Sequence, residues 1–515
     1  ISITLEVLVV FDKKKHQAII DQVEDYIAEH KETVKQHHWR EHYHYQAPVG
    51  WINDPHGLIQ YQGKYHLFYQ HHPFSGKWGT MHWGHAVSED LIHWETLPEA
   101  LAPSEEYDGW DGGGIFTGSA VNNDGVMTLF YTGCAQARQV QCMATSTDGV
   151  NFEKYDGNPI LSDPPEGINL HDFRDPKVWK HEGSWYMVTG VTDGVSDLIN
   201  ASNYETNGFG KVCLHKSDNL TDWEFVGYCV ESMGELGTML ECPNIFKLGD
   251  KHVLMYSPMG MQQRQVVYLV GDLDYRTGKF HWSTMGSLDW GFDYYAPQVF
   301  DDENGRTLIQ AWIGSWPFMP WCDGTYDTSE LGWYGSITLA REVSLCHDGK
   351  LKFTPVQEVE KLRHSPKRHT ELELNDGEKF AFEAGDNVHC EIIADIDLAA
   401  SDCDSVVFEI RSKGEQKTLI ELDLKKGELA FDRTQSGSRS ALRRTCPLEC
   451  ASKDRANIRI FMDSISVEVF TDGGRTVMTN NIFSDEDSAG LYVYAKNGNA
   501  RIETLKTFGM KNVAE

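Results

Sequence analysis

Between residues 63 and 311 one short pattern occurs five times, a turn residue followed by a run of β-forming side chains. The copies are Gly63-Lys-Tyr-His-Leu-Phe-Tyr69, Gly125-Val-Met-Thr-Leu-Phe-Tyr131, Gly183-Ser-Trp-Tyr-Met-Val-Thr189, Asp250-Lys-His-Val-Leu-Met-Tyr256 and Gly305-Arg-Thr-Leu-Ile-Gln-Ala311. They start about 60 residues apart. A second pattern follows the first three copies with identical internal spacing: Ser88-x-Asp90 with Trp94-Glu95, Ser146-x-Asp148 with Phe152-Glu153, and Ser217-x-Asn219 with Trp223-Glu224. Several short strands per unit, repeated at this period, predict an all-β fold with a five-bladed β-propeller over 45–355, one four-stranded sheet per blade. A β-sandwich has no such period.

The flanks differ in character. Residues 15–37 lack Gly and Pro and carry Ile20, Val23, Tyr26 and Ile27 at helical spacing, so a short amphipathic helix is expected in an N-terminal extension, 1–44. Residues 356–370 are polar and basic and suggest a linker. Beyond it, alternation of apolar and polar residues over 389–396, 406–411, 418–432, 457–472 and 490–495 predicts a β-sandwich domain, 371–515, with no chemistry of its own.

Composition excludes several functions. A net charge of −31 opposes binding to nucleic acid and suits a neutral ligand. Eleven cysteines, an odd number without CxxC pairs, make neither a disulfide framework nor a zinc site. No stretch is long enough to span a membrane. The apolar start precedes the basic Lys13–Lys15, the reverse of a signal peptide. His37, His38, His42 and His44 match no metal motif and suggest a locally bonded cluster. Sequons at Asn200 and Asn219 and the cysteine count point towards a secreted protein, with a cytoplasmic one as the alternative.

Just upstream of three repeats stands an acid. Asp54 lies nine residues before Gly63, Asp175 eight before Gly183, and Glu241 nine before Asp250, each with Pro one or two residues on. Innermost propeller strands line a common axis, so three carboxylates from different blades would meet at one mouth of the channel. Such crowding is costly unless function requires it. A pair of carboxyl groups suits glycoside hydrolysis, which needs an acid and a second carboxylate. Nearby aromatics favour a sugar: Trp51, Trp78, Trp83, Trp110, Phe116, Tyr295, Trp312 and Trp316. Asn53, Gln70, Arg174 and Gln298 could bond hydroxyls.

These residues fall in a set of motifs: Trp51-Ile-Asn-Asp-Pro-His-Gly57, Trp78-Gly-x-x-His82-Trp-Gly-His85, Phe116-Thr-Gly-Ser-Ala120, Phe173-Arg-Asp-Pro176, Glu241-Cys-Pro243 and Tyr295-Ala-Pro-Gln298. In this order they resemble glycoside hydrolase family 32, the invertases, fructanases and sucrose-6-phosphate hydrolases. The resemblance implies a five-bladed propeller followed by a β-sandwich. It implies retaining release of a terminal fructosyl unit from sucrose or a short fructan, with Asp54 as nucleophile, Glu241 as general acid/base and Asp175 as transition-state stabiliser. Asn53, Gln70, Trp78, Phe116, Thr117, Arg174, Tyr295 and Trp316 are the implied sugar contacts, and no metal or cofactor is needed. Ile52, His56, Thr117 and the segment Trp312-Ile-Gly-Ser-Trp316 depart from the commoner motifs. The alternatives are an inverting propeller glycosidase, whose carboxyl groups would stand about 6.5–9.5 Å apart, and a non-catalytic sugar-binding propeller.

Overall fold

The computed structural model describes residues 11–109, 112–136, 138–194, 208–261, 265–316, 328–437, 442–450, 452 and 454–514. Trp110 and the sequon at Asn200 lie outside the described residues.

The chain opens with the helix Lys13–Lys35. Asp12 caps it, its carboxylate accepting from Lys15 N at 3.0 Å. Its buried side chains His16, Ile20, Val23 and Val34 form one stripe. Among the described residues no helix is long and apolar enough to cross a membrane.

Strands follow, in sheets that keep chain order. The first strands of successive sheets are Gly50–Tyr61, Gly114–Asn123, Phe173–His181, Leu240–Leu248 and Tyr295–Asp301. Each repeated run forms the second strand of its sheet: Lys64–His72, Val126–Ala135, Ser184–Thr192, Lys251–Pro258 and Thr307–Ile313. The hairpin turns explain the repeated glycine. Gln62-Gly63, Asp124-Gly125 and Glu182-Gly183 all have positive φ at both residues, the turn that matches strand twist. The Ser-x-Asp/Asn pattern forms the next corner. Asp90 Oδ1 accepts from Ile92 N and His93 N, Asp148 Oδ1 from Val150 N and Asn151 N, and Asn219 Oδ1 from Thr221 N and Asp222 N. The sequon asparagine Asn219 is therefore committed to a turn.

The first strands touch in sequence, and Tyr295–Asp301 returns to touch Gly50–Tyr61. The chain also closes on itself: Trp333–Tyr334 from the last turn pairs in parallel with Gly50 and Trp51. This closed ring of sheets is a β-propeller. Apolar side chains fill the gaps between neighbouring sheets, Phe68, Trp83, Leu129 and Tyr131 between the first and second, for example.

Residues 356–370, expected to be a linker, hold the 3-10 helix Gln357–Leu362 and the start of the strand Arg363–Leu374. That strand edges one of two six-stranded sheets packed around a single apolar core, the C-terminal β-sandwich. Two expected strands are hairpins. Residues 418–432 divide into Gln416–Asp423 and Glu428–Gln435 at Gly427, and 457–472 into Arg455–Met462 and Ser466–Thr471. Alternation continues across such tight turns, so periodicity alone hid them.

Propeller and sandwich meet over a buried ionic network. Arg341 pairs with Asp289 at 3.0 Å and Glu468 at 2.5 Å, all three side chains fully buried. His44 bridges Asp463 and Glu468, 2.9 Å to each. Burial alone would lower its pKa, but the two carboxylates prevail and hold it at about 10. Both ring nitrogens face carboxylate oxygens. His42 stacks on His389 and His37 on His38. Removing one member of a buried ionic network costs about 3–5 kcal/mol. Arg341→Leu is expected to lower stability by about that amount, as measured by denaturant unfolding; a change below 1 kcal/mol would contradict this role of the network.

Candidate active site

Every first strand of the propeller breaks register near its start. The shifts fall between Ile52 and Pro55, at Thr117, opposite Val188 and Gly190 where Asp175 and Pro176 stand, between Glu241 and Asn244, and between Tyr295 and Gln298. Such bulges re-aim side chains. Proline fits there because a bulged residue need not donate to the ladder. Asp175, Cys242 and Ala296 adopt left-handed φ of 65, 49 and 50°, a strained state for residues other than glycine.

The prolines set the correspondence. Asp54, Asp175, Cys242 and Ala296 immediately precede Pro55, Pro176, Pro243 and Pro297. Asn53, Arg174, Glu241 and Tyr295 stand one residue earlier. The expected register of the three acids is thus off by one for Glu241, and Cys242 holds the position equivalent to Asp54. The extra residue lies in a second bulge of the first strand, between His56 and Ile59.

Hydrogen bonds run within and between these two rows. Glu241 Oε1 accepts from Arg174 Nη2 at 2.9 Å and Nε at 3.2 Å, and the Tyr295 hydroxyl donates to Oε2. In the other row Thr117 Oγ1 donates to Asp54 Oδ2 at 2.7 Å, and the Cys242 thiol lies 3.4 Å from the same oxygen. Asn53 Nδ2 donates to Asp54 Oδ1 at 3.0 Å, and Trp51 Nε1 donates to Asn53 Oδ1 at 2.7 Å. Asp175 Oδ2 accepts from Cys242 N at 2.8 Å, while Asp175 N donates to Thr132 Oγ1 at 3.0 Å. The structure therefore brings together Asp54, Asp175, Glu241, Asn53, Thr117, Arg174 and Tyr295. Cys242 and Thr132 are additional members. The proline register would have found Cys242; Thr132, on a second strand, has no such signal.

The surrounding aromatics divide in two. Trp51, Trp83 and Trp312 are fully buried and belong to the core. Trp51 stacks on Tyr334 at 4.8 Å, and Trp83 stacks on His56 at 4.0 Å. His56, which departs from the commoner motif, is thereby a core residue. Trp78, Phe116 and Trp316 are half-buried and pack against the cluster of Trp51, Cys242, Tyr295 and Trp312. Among the described residues these three aromatics are the partly exposed members of that cluster. Gln298 is buried, and Gln70 is buried with its amide donating to Ile115 O at 2.7 Å.

Electrostatics set the acids apart from surface carboxylates. Burial raises Asp54 to about 6 despite the donors Thr117 and Asn53, with Glu241 adding repulsion. Burial raises Asp175 to about 7, opposed by the Arg174 guanidinium and reinforced by Glu241 and Asp54. Burial and the three acids push the Cys242 thiol well above its ordinary value.

Two family models match the chain. The Glycosyl hydrolases family 32 N-terminal domain covers residues 44–355, and the family 32 C-terminal domain covers 358–508. The chain belongs to glycosyl hydrolase family 32. The sucrose-6-phosphate hydrolase of Zymomonas mobilis is 36% identical over 500 residues, 92% of this chain and 93% of that protein. The raffinose invertase of Escherichia coli is 36% identical over 484 residues, 90% of this chain and 93% of that one. A mutant of the Bombyx mori family 32 β-fructofuranosidase, solved with sucrose, superposes with a TM-score of 0.79 at 31% identity, covering 97% of this chain and 99% of its own. This family 32 chain is a glycoside hydrolase of the β-fructofuranosidase type.

The raised carboxyl groups tie stability to pH. A carboxyl whose pKa is higher in the fold than in the unfolded chain favours folding when protonated. Its contribution is intact below the unfolded value near 4 and is lost as pH rises through the folded value. For Asp175 that window runs from its ordinary 3.8 to about 7. Asn at this position can still accept from Cys242 N and tolerates left-handed φ. Asp175→Asn is expected to be more stable than the parent by about 1–3 kcal/mol at pH 8. The gain should fade towards pH 4 in thermal melts. A variant destabilised equally at both pH values would contradict this.

Proposed function

We propose that this enzyme releases terminal β-D-fructofuranosyl units from sucrose or short fructo-oligosaccharides with retention, through a covalent fructosyl-enzyme on Asp54. Asp54 attacks the anomeric carbon of fructose while Glu241 gives its proton to the departing glucosyl oxygen. Water, deprotonated by Glu241, then cleaves the ester and frees Asp54. Asp175 bonds the sugar hydroxyls and favours the positive charge that develops on the ring. The observation that carries this reading is the convergence on one ring of Asp54, held by Thr117 and Asn53, and Glu241, held by Arg174 and Tyr295. An Asp54 pKa of about 6 leaves the nucleophile largely ionised at neutral pH. Trp78, Phe116 and Trp316 supply apolar faces for the sugar.

The same reading gives the scaffold five blades over 45–355 and a sandwich over 371–515, supported by the cyclic contacts of the five first strands. Sucrose as substrate is supported by the complex of the Bombyx mori relative. Sucrose 6-phosphate is the second reading, favoured by the name of the Zymomonas mobilis relative. It needs a cation at the rim; Lys77, beside Trp78, and Arg138 are paired with Glu330 and Asp163.

The test is NMR of sucrose turnover. The parent should release glucose and fructose with the first-formed fructose as the β-furanose. Asp54→Asn should fold and lose about 10⁴-fold or more in kcat. First-formed α-fructofuranose, or full turnover by folded Asp54→Asn, would overturn the assignment.

A further inference from the structure

Arg174 does not serve Glu241 alone. Its Nη1 donates to Asp172 Oδ1 at 2.8 Å and to Gln139 Oε1 at 3.2 Å, while Nε and Nη2 face Glu241. Asp172 is fully buried, and its Oδ2 has no hydrogen-bond partner among the described residues. A buried carboxyl group held on one side only is expensive to keep. It lies two residues before Arg174, just ahead of the strand, and is screened from solvent. Among the described residues its ion-pair partner is the guanidinium that also holds the proposed acid.

We infer that Asp172 is a positioning residue for acid catalysis, dividing the charge of Arg174 so that Glu241 is oriented without being locked as an anion. This rests on the assignment of Glu241 as the acid. A guanidinium with a single carboxylate partner forms a tight charge-assisted pair and favours the ionised form. With a second carboxylate on the opposite nitrogen, its field is shared and its plane is fixed from both ends. Gln139 completes the grip: its Oε1 also accepts from Phe173 N at 2.9 Å, which ties the arrangement to the backbone just before the bulge. The prediction is specific to the leaving group. Sucrose needs a proton on its departing oxygen, whereas an aryl β-fructofuranoside with an acidic phenol does not. The second-order constant kcat/KM reports the first step alone, before any contribution of Glu241 as base.

The experiment compares kcat/KM for sucrose and for the aryl fructoside in the full-length enzyme, its Asp172→Asn variant and Glu241→Gln. General acids contribute about 10²–10⁴-fold. Glu241→Gln should lose about that factor on sucrose and little on the aryl substrate. If it loses both equally, the acid assignment itself fails. Given that control, Asp172→Asn should lose about 10–100-fold on sucrose and under about 3-fold on the aryl substrate. Equal losses on both substrates, or no loss, would overturn the role of Asp172. Should Asp172→Asn fail to fold, Gln139→Met, which loosens the same nitrogen, should show the same discrimination at about 3–10-fold. An unchanged ratio there would overturn it equally.

Discussion

Three carboxyl groups are buried around one axis, which is costly, and much of the local structure answers it. Burial lifts Asp54 and Asp175 to about 6 and 7. Each acid survives because a different blade supplies its donor. Thr117 serves Asp54, the Cys242 amide serves Asp175, and Arg174 with Tyr295 serves Glu241. No single sheet contains both an acid and all its partners, so the site exists only when the ring is closed. The bulges with left-handed backbone at Asp175, Cys242 and Ala296 place these donors, and that strain is sustained by the packing of the sheets behind them.

The sandwich enters through the same logic of buried charge. Its Asp463 and Glu468 hold His44 and Arg341, which lie on segments entering and leaving the propeller. His44 is followed at once by Tyr45, which bridges to Ile337 beside the strand that closes the ring. Through these contacts the C-terminal sheets pin the closure, while contributing no side chain to the acidic cluster described above.

Much of this was legible in the sequence for identifiable reasons. The first three turn-plus-strand units share one hairpin chemistry, with positive φ at both residues of Gln62-Gly63, Asp124-Gly125 and Glu182-Gly183. Asp54, Asp175 and Glu241 stood out because the period brings distant residues to matching places. Other features were hidden. The one-residue offset of Glu241 comes from a second bulge, which spacing cannot distinguish from a longer loop. Trp51, Trp83 and Trp312 look like sugar platforms in sequence but fill the core, since composition does not reveal which face of a strand a ring lies on. Thr132 makes its contact between sheets and Asp172 makes its own with Arg174 two residues on, and neither leaves a repeating pattern along the chain.

The most direct measurement is chemical trapping of the intermediate. Enzyme mixed with sucrose, quenched in acid within the turnover time and digested, should yield one peptide heavier by a single fructosyl residue, with the ester on Asp54. A label on Asp175 or Glu241, or no label during active turnover under conditions that preserve such an ester, would contradict nucleophilic attack by Asp54.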